Sequence, residues 1–408
     1  MKASLFILIN FLITTTICAQ VAEFEKLFTD YMPSKQQWEE NIRPEVKKIF
    51  QSQIYGVLPS EDLYVSKNIA TIPFTIGDQE AIMKQIELNF HASSSSDSAT
   101  VNVLLITPID QISPVFVGIN SYGNHTIHSH DQIEIHDNYV KNKPEYEIFN
   151  NHAGESARGV QAHRWPVERI LKRGYGLATF HISEIYPDRN DGEDKSNLRL
   201  FEDYNPDPGQ RAGALAMWAW AISRVIDHLQ SEPLVNKNQI FVIGHSRRGK
   251  AALLAGAMDE RIAAVFSNDS GCGGAALSKS KTGESVAQIN DQFPHWFAGN
   301  FKKYNNAADE LPVDQHLLLA LVAPRLLYVA SAEQDAWADP ASEFLSARIA
   351  SAAWNLYDLN GLEGKTQPEV NIALNRGSVG YHIRSGNHDL TRFDWERFMD
   401  FTDIHFKN

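Results

Sequence analysis

The chain has 408 residues, of which 43% are hydrophobic, 21% charged and 10% aromatic, with a formal charge of −13 and only two cysteines. That much apolar material can bury a large core, which excludes disorder or fibre as a description of the whole. The acidic balance is the opposite of what neutralising a phosphate backbone requires, so nucleic acid is set aside as a partner.

Residues 1–19 place Lys2 ahead of the apolar run Leu5–Ile13 and end in small residues at Ala19, the pattern of a secretory signal peptide cleaved near Ala19–Gln20. Ile17, before Cys18, is bulkier than a lipobox allows, which favours a secreted or periplasmic product over a lipoprotein. Once the leader is removed the charge is one unit more negative and Cys272 is the remaining thiol, so no intramolecular disulfide can form. Stability is then left to the core. Later apolar stretches such as Ala212–Ile222 and Leu317–Val322 fall short of the ~20 residues of a membrane span.

The remainder, residues 20–408, reads as one domain whose N-terminal part, to about His91, is helical and antiparallel-stranded. Short β-branched runs then predict strands at Thr100–Ile106, Val115–Ile119, Gly176–His181, Ile240–Ile243, Ala263–Ser267, Leu326–Ser331 and Val379–Ile383. Between them the periodicity predicts helices at Val167–Arg173, Arg211–Leu229, Lys250–Met258 and Pro340–Asn355. This alternation predicts a three-layer α/β sandwich, a mostly parallel central sheet with helices on both faces. The serine run Ser93–Ser96 reads as a hairpin turn, and Trp218 and Trp220 of the second helix as core. The polar stretch Ser183–Gln210 is long for a connection in such a fold, and loops of that length tend to carry function. The segment Asn124–Asp131, with Glu134, His136 and Asp137, is dense in potential metal ligands. Its spacing matches no closed zinc motif, and it reads as a solvated loop near the site mouth without a metal.

The run Gln239–Leu254 passes from an apolar strand, through small residues flanking Ser246, directly into a helix. A nucleophile elbow needs that strand–turn–helix context, because the tight turn lifts the serine hydroxyl above the sheet. Gly244 gives the room; Arg248 occupies the place where G-x-S-x-G has its second glycine, and Gly249 follows it. A serine needs a base and the base an orienting acid. Asp335 follows the strand Leu326–Ser331, and His388 follows the last strand, both on the edge where open parallel sheets bind ligands. Asp269, after the strand that follows the elbow, is a second carboxylate able to reach the imidazole, so it stands as an alternative or supporting acid.

The segments Gly244–Lys250, Asn268–Leu277, Gly283–Asn290, Phe293–Phe297, Asp335–Pro340 and Gly386–Asp389 together resemble the bacterial glucuronoyl esterases of carbohydrate esterase family 15, over about Pro114 to His388. The resemblance implies an α/β-hydrolase fold and a serine esterase that cleaves the ester between (4-O-methyl)glucuronic acid of glucuronoxylan and an alcohol of lignin. It implies Ser246 as nucleophile, His388 as base and Asp335 as acid, with Arg247 joining the oxyanion hole. Lys250, Glu284 and Trp337 are similar to residues that hold the uronate ring. His245 replaces the cysteine of the fungal motif, and Asp269 stands where many relatives have glutamate; being one methylene shorter, it leaves the acid's role to Asp335. No cofactor or metal is implied, and a monomer is expected. The rival readings are another carbohydrate esterase of the acetyl xylan type and a non-catalytic hydrolase-fold binding protein, although no triad member is missing.

Overall fold

Alternation along single strands builds this molecule. Ile240 and Val242 enter one apolar cluster while Phe241 and Ile243 between them enter another. Val115, Val117, Val265, Leu327 and Val329 join the first cluster; Phe116, Phe266, Tyr328 and Ala330 join the second. A strand apolar on both sides is stable only between two layers, which is why these segments read as unbroken hydrophobic runs. The computed structural model describes residues 26–59, 63–92, 96–201, 204 and 206–407. The predicted leader, Cys18 and most of the serine run lie outside the described residues.

The strands are β1 (Tyr64–Ile76), β2 (Gln79–His91), β3 (Ser98–Pro108), β4 (Ser113–Asn120), β5 (Gly176–His181), β6 (Val235–His245), β7 (Ala264–Asn268), β8 (Leu326–Ala332), β9 (Ala373–Leu374) and β10 (Val379–Arg384). They form a ten-stranded sheet in the order β1-β2-β3-β5-β4-β6-β7-β8-β10-β9. The pairs from β5 through β4, β6, β7 and β8 to β10 are parallel, while β1, β2 and β3 add antiparallel strands on one side and β9 on the other. This is the α/β-hydrolase arrangement. From β4 the chain crosses to β5 on one flank and returns to β6 on the other, so the order reverses around β4. Open α/β sheets bind ligands outside the carboxyl ends of strands at such a reversal. The strand ends Asn120, His181, His245, Asn268, Ala332 and Arg384 all lie on that edge.

Near the N-terminus the chain is helical from Lys35 to Tyr55, with π-type turns flanking α1 (Arg43–Ile49). The other main helices are α2 (Val167–Lys172), α3 (Ala214–Leu229), α4 (Arg247–Met258), α5 (Val286–Gln292), α6 (Gln315–Ala320), α7 (Pro340–Ala350) and α8 (Arg392–Phe406). α3, α4, α6 and α7 cover the first cluster, and α2 and α8 the second. At the centre of the second cluster, Phe116 meets Tyr175, Phe241, Phe266 and Trp395 at ring-centroid separations of 5.2–5.5 Å, the edge-on and tilted geometry aromatic quadrupoles favour. Trp218 and Trp220 are core, as read.

All four helices read from the sequence differ at one end: α2 stops at Lys172 with Arg173 as its cap, and the other three differ for local reasons. α3 starts at Ala214 rather than Arg211, because Gly213 is its cap and the Arg211 guanidinium is held by Glu193. α4 starts at Arg247 rather than Lys250, directly after the elbow serine. The helix expected through Asn355 is α-helical only to Ala350 and tightens into a 3-10 turn at Ser351–Tyr357, where Ser351 Oγ donates back to the Arg348 carbonyl at 2.7 Å.

Candidate active site

Ser246 joins β6 to α4 with φ 60° and ψ −130°. A non-glycine residue is strained there, and such strain persists only where the surroundings over-determine it. Two bonds do so: Ser246 N–H donates to the Asn268 carbonyl at 2.8 Å, and Gly249 N–H to the Ser246 carbonyl at 2.8 Å. Gly244 makes the turn possible, since a Cβ there would lie 2.0 Å from the Arg248 carbonyl oxygen. Glycine at 249, one place later than the usual pattern, still lets the helix start pack against Ser267 and Ser270. The hydroxyl of Ser246 is half-buried at the mouth of a cleft of about 290 Å³ that it shares with Arg247, Arg248, Asp188 and His388.

His388 lies in the loop after β10, its side chain 44% exposed, and Nδ1 meets Asp335 Oδ2 at 2.5 Å. Asp335 is buried just past β8. No hydrogen bond joins Ser246 Oγ to His388 among the described residues; such bonds commonly tighten only around substrate. Asp269 sits close by, and one ligand atom from each of Asp269, Asp335 and His388 falls within 4.8 Å of the others. Its bonds run elsewhere, however: Oδ2 accepts from Arg384 Nη2 at 3.2 Å and Asp389 N–H at 3.3 Å, and Oδ1 is buried without a hydrogen-bond partner. Burial, with the nearby Glu343 carboxylate, pushes the Asp269 carboxyl well above the usual range. Burial likewise holds the His245 imidazole well below its ordinary value; this ring lies 4.5 Å from that of His388 and bonds Asn268 Oδ1 at 2.6 Å.

Beneath the two aspartates, Glu343 of α7 is fully buried. Its Oε1 accepts from the backbone N–H groups of Ser270 and Gly271 at 2.8 and 2.9 Å, and Oε2 from Ser331 Oγ at 2.7 Å. It therefore ties the turn after β7 to the end of β8. Burial pushes this carboxyl up to about 7.

Arg247 opens α4 on the opposite side. Its guanidinium pairs with Asp188 Oδ2 at 2.5 Å and lies 4.5 Å from the Trp296 ring and 5.1 Å from that of Phe293. The other oxygen of Asp188 accepts from His295 Nε2 at 2.9 Å and Trp296 Nε1 at 2.8 Å. Burial alone would raise the Asp188 carboxyl; the Arg247 charge and these two donors overcome it and hold it well below the carboxylate range. Lys250, one turn along, is buried and donates to the carbonyls of Ser270 and Cys272, leaving one of its three N–H groups. Glu284 is the carboxylate that most favours its charge, and burial raises the Glu284 carboxyl. Trp337, 47% exposed, accepts the Glu284 N–H at its own carbonyl at 2.9 Å. Lys250, Glu284 and Trp337 thus occupy the β7–β8 side of Ser246.

The structure brings all eight sequence-selected residues to one edge of the sheet. The residues that sequence reading did not select are Asp188, the Phe293–Trp296 stack at 3.7 Å, Glu343 and Arg384. The long polar stretch 183–210 was the signal for Asp188, and a glutamate among the small and apolar residues of Pro340–Ala350 was one for Glu343. The histidines of residues 124–136 form no metal-ligand cluster among the described residues, but the segment is not the solvated loop expected, because Asn124, His125, Thr126 and Ile127 are buried. His128 and His130 each meet the ring of Phe74 at 5.2 Å, His136 pairs loosely with Glu134 at 3.9 Å, and His125 is buried with its ring pushed down to about 4 by desolvation.

Residues 160–358 match the family of fungal glucuronyl esterases. A carbohydrate esterase of an unknown prokaryotic organism is 39% identical over 376 residues, spanning 91% of this chain and 86% of the relative. Among solved structures, a promiscuous CE15 esterase from a marine bacterial metagenome superposes with a TM-score of 0.85 at 37% identity, covering 92% of this chain and 94% of that one. A glucuronoyl esterase from Solibacter usitatus does so with a TM-score of 0.84 at 36% identity, with the same coverage.

Proposed function

The chain belongs to the glucuronoyl esterases of carbohydrate esterase family 15 and is a carboxylic ester hydrolase, and from that premise we propose that it is an exported serine esterase cleaving esters between (4-O-methyl)glucuronic acid of glucuronoxylan and lignin alcohols. In this reading Ser246 Oγ attacks the uronoyl carbonyl while His388 takes its proton. Asp335 fixes the imidazole tautomer and stabilises the imidazolium. The developing oxyanion meets the first N–H groups of α4 and the Arg247 guanidinium. Asp188, Phe293 and Trp296 hold that cation still, so it needs no reorganisation when charge appears. Collapse expels the alkoxide, which His388 protonates, and water attacks the acyl-enzyme by the same route in reverse, giving the free uronic acid and Ser246.

The uronate ring is assigned to Lys250, Glu284 and Trp337, a buried ammonium and a half-buried carboxyl on the same side of Ser246 as an exposed indole. The formal charge of −13 does not oppose this, because the esterified carboxyl is neutral until it is cut.

The observation that carries the proposal is the His388–Asp335 pair of 2.5 Å opening onto the cleft that holds the strained Ser246 and the clamped Arg247. The test is hydrolysis of benzyl glucuronate against acetylated xylan. We expect turnover of the glucuronate ester, abolished in Ser246→Ala; a preference for acetylated xylan would favour the acetyl esterase reading instead.

A further inference from the structure

The cations along the cleft are not all neutralised. Arg247 is paired with Asp188, Arg164 Nε with Asp389 Oδ1 at 2.6 Å, and Lys143 with Glu145. Arg248 is different. Its one hydrogen bond runs from Nη1 to Ser121 Oγ at 2.5 Å, and no carboxylate of the described residues lies within 4.0 Å of its guanidinium. Asp188 favours its charge only from a distance, since the hydrogen bonds of that carboxylate go to Arg247, His295 and Trp296. Burial and the neighbouring charges of Arg247 and Arg164 oppose its ionisation, yet a guanidinium remains protonated at any working pH. Lys141, exposed on the same wall, has no ion-pair partner among the described residues. A half-buried cation without an ion-pair partner is costly to keep, and in a chain of net charge −13 the acidic partner it lacks is not scarce.

Position supplies the second part of the argument. Ser121 follows β4, so Arg248 points to the β4–β5 side of Ser246, away from Lys250, Glu284 and Trp337. With the uronate on one side of the attacked carbonyl, the alcohol must lie on the other. Tyr122 and Tyr139 line that half of the cleft and offer flat apolar faces beside the two cations. We propose that Arg248 and Lys141 form a subsite for a carboxylate carried by the alcohol portion of the ester, with the tyrosines flanking its ring. The proposal rests on the serine-esterase reading above and adds a charge preference for the leaving group.

The test compares 4-carboxybenzyl glucuronate with its neutral isostere, 4-carbamoylbenzyl glucuronate. One charge-assisted contact corresponds to about tenfold in kcat/KM in favour of the carboxylate. The gap should narrow at about 0.5 M salt, where the Debye length is about 4 Å, and collapse toward unity in Arg248→Met. If Arg248→Met slows both esters equally, the arginine serves the oxyanion and the proposal falls. It falls also if the wild type turns over both esters alike. Should Arg248→Met not fold, the wild-type gap with its salt dependence, and its partial loss in the surface variant Lys141→Met, decide the matter. Failure of the underlying reading looks different: neither glucuronate ester would be cleaved while acetyl esters were.

Discussion

At the scale of single residues, the two candidate acids differ in what they already hold. Asp335 gives an oxygen to His388 at 2.5 Å, whereas Asp269 faces Arg384 and the Asp389 N–H. Asp335→Asn presents the imidazole with the wrong hydrogen-bonding group and should lower kcat on benzyl glucuronate by about 10⁴, as in comparable triads. Asp269→Asn replaces a carboxyl whose environment already favours the neutral form, so its loss of kcat should be much smaller; the reverse ranking in steady-state kinetics would move the acid to residue 269. Arg247→Met removes a cation fixed beside the nucleophile and should cost about 10²–10³ in kcat, with the larger part in kcat rather than KM if the charge acts on the oxyanion. Much of this was legible in sequence, because Ser246, Asp335 and His388 follow strand ends in the order the fold requires. Asp188 was not, since it belongs to an irregular segment whose path no periodicity encodes. Nor could spacing tell that Asp269 would be drawn to Arg384, a residue 115 positions away.

At the scale of elements, α7 shows how a helix can set an active-site turn through one buried carboxylate. Glu343 gathers the Ser270 and Gly271 N–H groups and the Ser331 hydroxyl, and burial raises it from 4.5 to about 7. A carboxyl raised in the folded state binds its proton more tightly there than in the unfolded chain. Its contribution is therefore fully present below about pH 4.5 and is lost as pH rises to about 7, on the order of 3 kcal/mol in all. Glu343→Gln keeps an acceptor for the two backbone donors and has no proton to lose. Denaturant midpoints measured from pH 4.5 to 7.5 should fall with pH in the wild type and less steeply in Glu343→Gln; parallel curves would mean that Glu343 does not titrate in this window. Element type was read correctly for the central strands because burial on both sheet faces leaves unbroken apolar runs. Boundaries were read less well, because caps and back-bonds such as Ser351 to Arg348 decide them locally.

At the scale of the whole molecule, two apolar layers share one sheet, and that sharing predicts how it unfolds. Trp38, Trp218 and Trp354 lie in the layer of α3, α4, α6 and α7, while Trp165 and Trp395 lie in that of α2 and α8. Intrinsic fluorescence therefore reports on both. Cys272, the one cysteine among the described residues, is buried in the turn after β7, its carbonyl bound by Lys250 and its thiol pushed up to about 12 by desolvation. Reaction with a thiol reagent needs both exposure and the thiolate, and the folded state withholds both. Since β6, β7 and β8 contribute side chains to each layer, neither layer can melt while the other keeps a complete floor. Thiol labelling and fluorescence should lose the native signal at the same denaturant concentration, with reductant leaving that midpoint unmoved because no disulfide joins the described residues. Labelling that runs ahead of fluorescence would show the β7 turn opening on its own, and the candidate site would then rest on a locally unstable segment rather than on the sheet as a unit.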